Sequence, residues 1–214
     1  MTEPWRPAVK NAMHQAAQNQ AGKRGKTFNY RWEHVQAVVN TAVKLAGLTD
    51  ADPEIVEASA WLHDIRKETK DIHPQEGAKF ARQFLPQTDF PVEKIEAVAS
   101  AIEQHMGLWL DEPLENLEAQ VLWDADKLTK IGATIIFHFT GNWLTKNKPV
   151  TTHDILENGR SVDWIPKTVA SMHTQPAKVA AAKRYKAFQQ IWGQLAIELE
   201  NQDLEAPFIH KGKE

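Results

Sequence analysis

The stretch of the sequence most able to do chemistry is an adjacent histidine–aspartate pair, His63-Asp64. It ends an apolar run and is followed at once by two cations, Arg66 and Lys67. A carboxylate beside an imidazole is costly to bury in an apolar helix unless a partner compensates it. A divalent metal ion is such a partner, because neutral imidazoles and carboxylates are both metal ligands. The pair is therefore the first candidate for a metal site.

Further imidazoles and carboxylates occur in similar settings, on helical apolar stripes or at helix ends. They are His34, His73, His105 and one of Asp124 or Asp126. A single histidine on a buried stripe is more often a hydrogen-bonded core residue than a ligand, so the interpretation depends on their number. With no cysteine in the chain, the ligands would lack sulfur. Such a set suits iron, manganese, zinc, cobalt or nickel.

Helical periodicity does not choose between the two aspartates. Asp124 aligns with Val121, whereas Asp126 aligns with Leu122. Residues two positions apart on a helix point in different directions. One aspartate could therefore face a metal while the other caps a helix or pairs with a cation.

Helical elements must position these side chains, and strand-like alternation is scarce, so the sequence predicts an all-α fold. Apolar periodicity predicts helices over residues 7–20, 31–48, 53–64, 75–85, 91–105, 113–138 and 176–202. Asp52 and Pro53 have the types expected of an N-cap and a first helical residue. Residues 139–176 are predicted to be loops and short helices that cover one side of the core, as a lid would. A second pair there, His153-Asp154, is interpreted as a structural helix start.

Composition narrows the classes of partner. The 214 residues are 42% hydrophobic and 25% charged, with a net charge of −3, which gives no reason to expect nucleic acid or a membrane surface as partner. No signal peptide or spanning segment is evident at the N-terminus or elsewhere, so we expect a cytoplasmic protein. The basic stretch Gly22–Lys26 is interpreted as a solvated surface loop.

Three motifs resemble the HD-domain superfamily of metal-dependent phosphohydrolases, in its small bacterial members. His63-Asp64-Ile65-Arg66-Lys67-Glu68 is similar to the His-Asp-x-x-Lys motif of bacterial HD proteins that cleave diadenosine tetraphosphate. His73 to Ala78 is similar to their His-x-x-x-Gly-Ala segment. Ala125-Asp126-Lys127-Leu128 is similar to the Ala-Asp-Arg/Lys-Leu motif that carries the last metal aspartate, a motif shared with alarmone hydrolases. The resemblance covers about residues 30–140 and favours Asp126 over Asp124.

The resemblance implies an HD-type helical core with a long C-terminal helix. It also implies hydrolysis of a phosphate ester or anhydride, of a nucleotide or dinucleotide, by metal-activated water. The implied metal ligands are His34, His63, Asp64, His73, His105 and Asp126. With His73 and His105 as ligands, two metals would share Asp64; without them, one metal would be held by the other four.

Lys67 is the best candidate for a cation that stabilises phosphoryl oxygens. Arg66, Lys127 and Lys130 are weaker candidates. The predicted division is an N-terminal extension over residues 1–30 and one HD-type domain over 31–214, with its metal-binding core at about 31–140. The sequence does not predict an oligomeric state.

Two other functions remain open at this point. Some HD proteins with a similar ligand set are di-iron oxygenases. A helical domain of this kind could also be a non-catalytic module that binds a nucleotide or a protein. Oxygen uptake with reduced iron would reveal the first, and nucleotide binding without turnover under any metal would reveal the second.

Overall fold

Helices form the regular structure of the computed structural model, which describes residues 3–22, 28–144 and 149–204. Its α-helices are α1 (Trp5–Ala21), α2 (Tyr30–Ala46), α3 (Pro53–Leu62), α4 (His73–Phe84), α5 (Ile95–Glu103), α6 (Leu117–Leu128), α7 (Ala133–Leu144), α8 (Thr152–Arg160), α9 (Ile165–Ala170) and α10 (Gln175–Leu199). Short 3₁₀ helices span Lys67–Ile72, Leu85–Gln87 and Val92–Lys94. Within the described ranges the only strand-like pairing is an isolated bridge between Glu3 and Thr88. The prediction of an all-α fold is confirmed.

The helices α2 to α6 form the part of the fold that carries the candidate residues. Helix α2 packs against α3 and α6, and α5 packs against both α3 and α4. Their apolar faces share one buried core, to which α1 contributes Val9 and Met13. The division into an extension and a single domain remains a prediction. None of the described helices has the length and apolar character needed to cross a membrane.

Helix α3 begins as its sequence predicts. The Asp52 side chain accepts hydrogen bonds from the backbone N–H groups of Glu54, at 2.9 Å, and Ile55, at 3.3 Å. Pro53 occupies the first helical position, where its missing N–H costs nothing. Seven of the ten residues of the helix are buried, and it delivers His63-Asp64 into the interior at its C-terminal end.

The prediction of one long helix over residues 113–138 is wrong. The chain forms α6 and then α7, separated at Gly132, whose φ is 87°. A right-handed helix has negative φ throughout, and only glycine adopts positive φ without strain. A Cβ on Gly132 would also lie 2.9 Å from the Cβ of Arg184 on α10. Close packing of α10 and the left-handed turn therefore divide the helix here.

Residues 139–176 contain the end of α7, all of α8 and α9, and the first two residues of α10. Thr151 and Asp154 form a capping box at the start of α8. The Thr151 hydroxyl accepts from the Asp154 N–H at 3.1 Å, and the Asp154 carboxylate accepts from the Thr151 N–H at 2.8 Å. The structural interpretation of His153-Asp154 is thus confirmed. Helix α8 packs against α10, and a lid role remains a prediction. Lys23–Lys26 of the predicted basic loop lie outside the described residues, as does the chain after Leu204.

Candidate metal centre

Four buried histidines from four different segments meet in one row. His34 comes from α2, His63 follows α3, His105 follows α5, and His73 begins α4. Successive ring centroids lie 5.5 Å apart for His34 and His63, 5.1 Å for His63 and His105, and 5.0 Å for His105 and His73. Asp64 lies beside this row and is only 2% exposed.

Each imidazole is held through its Nδ1 atom. The Nδ1 of His63 lies 2.8 Å from the carbonyl of Ala60, and the Nδ1 of His105 lies 2.6 Å from the carbonyl of Ile102. His73 makes the same kind of hydrogen bond to the carbonyl of Lys70. A carbonyl oxygen can only accept, so Nδ1 must be the protonated nitrogen of these rings.

His34 reaches the same tautomer through a hydroxyl. Thr129 donates its hydroxyl proton to the carbonyl of Asp126 at 2.8 Å. Its oxygen therefore accepts from the Nδ1 of His34, 3.2 Å away. In all four rings Nε2 is left with a lone pair, and this arrangement is characteristic of histidines that bind metals.

The Nε2 atoms and carboxylate oxygens converge without protons to share. His73 and His105 Nε2 lie 3.1 Å apart, and they lie 3.4 Å and 3.7 Å from Asp64 Oδ1. His63 and His34 Nε2 lie 3.5 Å and 3.7 Å from Asp64 Oδ2. Lone pairs and anionic oxygens at these distances repel one another unless a cation lies among them.

Two groups of the described residues could each hold a metal ion. One is His34, His63 and Asp64, and the other is Asp64, His73 and His105. The Nε2 atom of His63 is buried without a hydrogen-bond partner in the described structure. The Oδ1 atoms of Asp64 and Asp126 are buried with only the ammonium groups of Lys67 and Lys130 paired to them. Buried polar atoms are normally satisfied, so the residues present fit a divalent metal. Asp64 belongs to both groups and could bridge two ions.

Asp126 lies next to these groups. Its Oδ1 is 3.2 Å from the Nε2 of His34, and its carboxylate pairs with Lys127 and Lys130. Helical periodicity left Asp124 and Asp126 as alternatives, the motif resemblance favoured Asp126, and in the structure the two side chains point in different directions. The carboxylate of Asp124 accepts 2.8 Å hydrogen bonds from the N–H groups of His173 and Thr174 and from the Thr174 hydroxyl. It therefore fixes the start of α10, while Asp126 faces the histidines.

Protonation states in the centre suit metal binding, which requires neutral imidazoles and ionised carboxylates. Burial lowers the pKa of His63 to about 3 and that of His73 to about 4. Burial alone would raise the pKa of Asp64, but Arg31 and the neighbouring histidines hold it well below its usual range. Lys127 and Lys130 do the same for the pKa of Asp126.

Two partly exposed cations reach Asp64. The Nζ of Lys67 lies 3.2 Å from Asp64 Oδ1 and 2.9 Å from the Nε2 of His73, with about a third of its side chain exposed. Arg31 donates from Nη1 to Asp64 Oδ2. Sequence reasoning missed Arg31, although it precedes His34 by three residues and so lies on the same face of α2.

The other three cations differ in their surroundings. Lys127 is fully buried, and its ammonium donates to the His105 carbonyl at 2.8 Å and to Asp126. Lys130 pairs with Asp126 at 2.7 Å and is about one-fifth exposed. Arg66 lies on the surface, 4.9 Å above the ring of Phe80. Of these three, Lys127 holds the His105 turn against α6, and Arg66 is a solvated charge.

A family model described as HD domain matches residues 31–131, the span that carries every candidate ligand. This match agrees with the resemblance that the motifs predict. The matching solved structures include a predicted HD superfamily hydrolase from an uncultured Thermotogales bacterium. It is 21% identical, with a TM-score of 0.66, and the match covers 92% of this chain and 94% of that one.

Two further structures extend the comparison across nearly the whole chain. YpgQ of Bacillus subtilis, solved in complex with ADP, is 20% identical with a TM-score of 0.63, and the match covers 89% of this chain and 97% of that one. An HD-superfamily hydrolase from Bacillus thuringiensis is 19% identical with a TM-score of 0.64, covering 91% and 98%. At these identities the likeness shows a shared fold, including the helices beyond residue 131.

Proposed function

We propose that this chain is a metal-dependent hydrolase of phosphate esters or anhydrides, and that its substrate is a nucleotide or dinucleotide. The observation that carries the proposal is the position of Asp64 within both groups of candidate ligands. A carboxylate shared in this way favours two divalent ions over one. Sites with two metals are common among enzymes that cleave phosphate bonds.

The ligand residues would act by holding fixed positions. His34, His63, His73 and His105 present Nε2 with Nδ1 already hydrogen bonded, so little reorganisation is needed when a metal binds. A bound divalent ion would supply Lewis acidity and lower the pKa of a coordinated water. Asp126 would complete the set beside His34.

Lys67 and Arg31 would contact the phosphoryl oxygens of the substrate. Both cations touch Asp64 and are partly exposed, so they can turn toward an anion that enters from solvent. Cations held where negative charge develops stabilise the transition state. Lys127 is excluded from this role because it is buried and its ammonium is already bonded to His105 and Asp126.

The choice of nucleotide rests on similarity of fold. YpgQ, which shares the fold, was solved in complex with ADP, so adenine nucleotides should be screened first and dinucleoside polyphosphates next. Three expectations remain predictions: a small phosphate compound as partner, no nucleic-acid or membrane partner, and a cytoplasmic location.

The test is a turnover screen on protein that has been stripped with chelator and reconstituted with manganese, cobalt, iron or zinc. Release of phosphate, pyrophosphate or nucleotide is measured for the wild type, Asp64→Asn and Lys67→Met. We expect Asp64→Asn to abolish turnover and Lys67→Met to lower kcat/KM about 100-fold or more. Asp154→Asn, in the exposed His-Asp pair, is the matched control and should keep full activity.

Three outcomes would contradict the proposal. Turnover that survives Asp64→Asn would remove the centre from the reaction. Oxygen consumption with ferrous iron, but no phosphate release, would make the chain an oxygenase. Saturable nucleotide binding with no turnover under any metal would make it a non-catalytic module.

A further inference from the structure

A cavity of about 190 Å³ lies between α7, α8 and α10, apart from the metal centre. Its lining is dominated by large apolar and aromatic side chains. The lining residues are Phe139, Thr140, Trp143, Ile155, Asn158, Gly159, Val162 and Trp192. Among these described residues none is charged, and none is a candidate metal ligand.

The indole of Trp192 carries the one buried polar side-chain atom of this lining that has no hydrogen-bond partner in the described structure. Trp192 is 5% exposed, and its Nε1 is buried without an acceptor. The indole N–H can only donate, and a buried tryptophan usually finds an acceptor for it. An unpaired buried donor is unfavourable, and Trp192 lines this cavity, so a ligand bound there would supply the acceptor that the indole lacks.

The backbone beside Trp192 is adapted to this indole. A Cβ on Gly159 would lie 2.2 Å from Cζ2 of the Trp192 ring, so only glycine allows the ring to lie here. Phe188 packs edge-on against the same indole, with ring centroids 5.9 Å apart. The ring is therefore held in place by its neighbours.

The other polar side chains of the cavity already make hydrogen bonds within their own helices. The Thr140 hydroxyl donates to the Ile136 carbonyl at 2.9 Å. The Asn158 amide donates to the Asp154 carbonyl at 2.7 Å. Trp192 is thus the group best placed to recognise a polar atom of a ligand.

We propose that this cavity is a second ligand site, which takes a small neutral aromatic compound bearing one hydrogen-bond acceptor. The size fits, because an apolar cavity of about 150 Å³ is enough to hold benzene, whereas drug-sized ligands need about 300 Å³ or more. The uncharged lining disfavours an ionic ligand. The unpaired N–H of Trp192 favours an acceptor, and the walls that Phe139 and Trp143 provide favour an aromatic ring.

A matched pair of probes tests the role of the indole N–H. Acetophenone offers a carbonyl acceptor, and α-methylstyrene has nearly the same shape with a CH₂ group in place of that oxygen. Both are titrated into the full chain, and the indole N–H signals of its eight tryptophans are followed by ¹H–¹⁵N NMR. The Trp192 signal is the one that disappears in Trp192→Phe.

We expect saturable binding of acetophenone, with a shift of the Trp192 indole proton that α-methylstyrene does not cause. Trp192→Phe keeps an aromatic ring and loses the donor. In this variant the Kd of acetophenone, divided by the Kd of α-methylstyrene, should be about tenfold higher than in the wild type. The two probes differ in hydration, but this difference affects both proteins equally, so it cancels when the ratio in the variant is compared with the ratio in the wild type. Val162→Trp should fill the cavity and weaken both probes.

Binding of neither probe to the wild-type chain would overturn the proposal, and this result needs no variant to fold. So would a ratio that is the same in Trp192→Phe. Broadening of the Trp192 signal with protein concentration alone would mean that another copy of the chain covers the cavity, which also overturns it. None of these outcomes depends on the metal centre.

Discussion

Asp124 and Asp126 lie two residues apart in helix α6 and face different parts of the structure, so replacing each of them tests their separate roles. Asp124→Asn should destabilise the fold and leave metal binding intact, whereas Asp126→Asn should weaken metal binding. The two substitutions are chemically identical and lie two residues apart in α6, so each is the control for the other.

The magnitude for Asp124 follows from its hydrogen bonds. Its fully buried carboxylate accepts four of them from His173 and Thr174, three at 2.8 Å and one, from the His173 ring, at 3.3 Å. A hydrogen bond to a charged group contributes about 1.5–3 kcal/mol. Asparagine keeps one acceptor oxygen and sets an amide N–H against a backbone N–H, so we expect a loss of about 2–4 kcal/mol. In a chain of this size that lowers Tm by about 5–15 °C.

The assay must separate stability from metal content, because a bound metal itself stabilises the native state. Thermal and urea unfolding are therefore measured in excess chelator, and metal per chain is measured separately after reconstitution. Asp126→Asn should lose metal, and its Tm in chelator should also fall, because the substitution leaves the buried Lys127 ammonium without its carboxylate. Metal per folded chain is therefore the quantity that separates the two variants. The reasoning is refuted if Asp124→Asn loses metal at unchanged stability, or if folded Asp126→Asn retains its metal.

Three further predictions concern stability in chelator. Asp52→Ala removes the N-cap of α3 and should cost about 1 kcal/mol, read as a Tm about 2–4 °C lower; an unchanged Tm would contradict the cap's role. Gly132→Ala should lower the free energy of unfolding by roughly 1–2 kcal/mol, because φ at this position is 87°. Gly193→Ala is the control: the residue is exposed within α10 and no atom lies within 4 Å of the added Cβ, so this change should be neutral or stabilising by up to about 1 kcal/mol. Burial lowers the pKa of His63 from 6.5 to about 3 and that of His73 from 6.5 to about 4. Between these values and pH 6.5 the unfolded chain therefore binds more protons than the folded chain. The urea midpoint should be highest above pH 6.5 and fall as the pH drops toward 4. A flat profile would mean that these imidazoles are not buried in the neutral form.

The sequence was informative wherever a local rule decided the structure. The Asp52-Pro53 signal predicted the start of α3, and the structure has that cap. Apolar periodicity placed His34 and His105 on buried faces, which is where they lie. Motif resemblance then selected Asp126, which faces His34 in the structure at 3.2 Å.

Other features depended on contacts that no local pattern contains. The break between α6 and α7 arises where Gly132 meets α10, more than fifty positions further along the chain. The role of Asp124 depends on His173 and Thr174, which lie about as far away. Arg31 was missed because an arginine at the start of a helix is ordinary until Asp64 is placed beside it.

The measurement that tests the account most directly is metal per chain, by elemental analysis, for the reconstituted wild type and for Asp64→Ala. If Asp64 bridges the two groups of histidines, the wild type should hold about two divalent ions per chain, and the variant should lose both. A wild type that holds no metal after reconstitution, or a variant that keeps the full complement, would mean that these buried histidines form a structural cluster and not a metal centre.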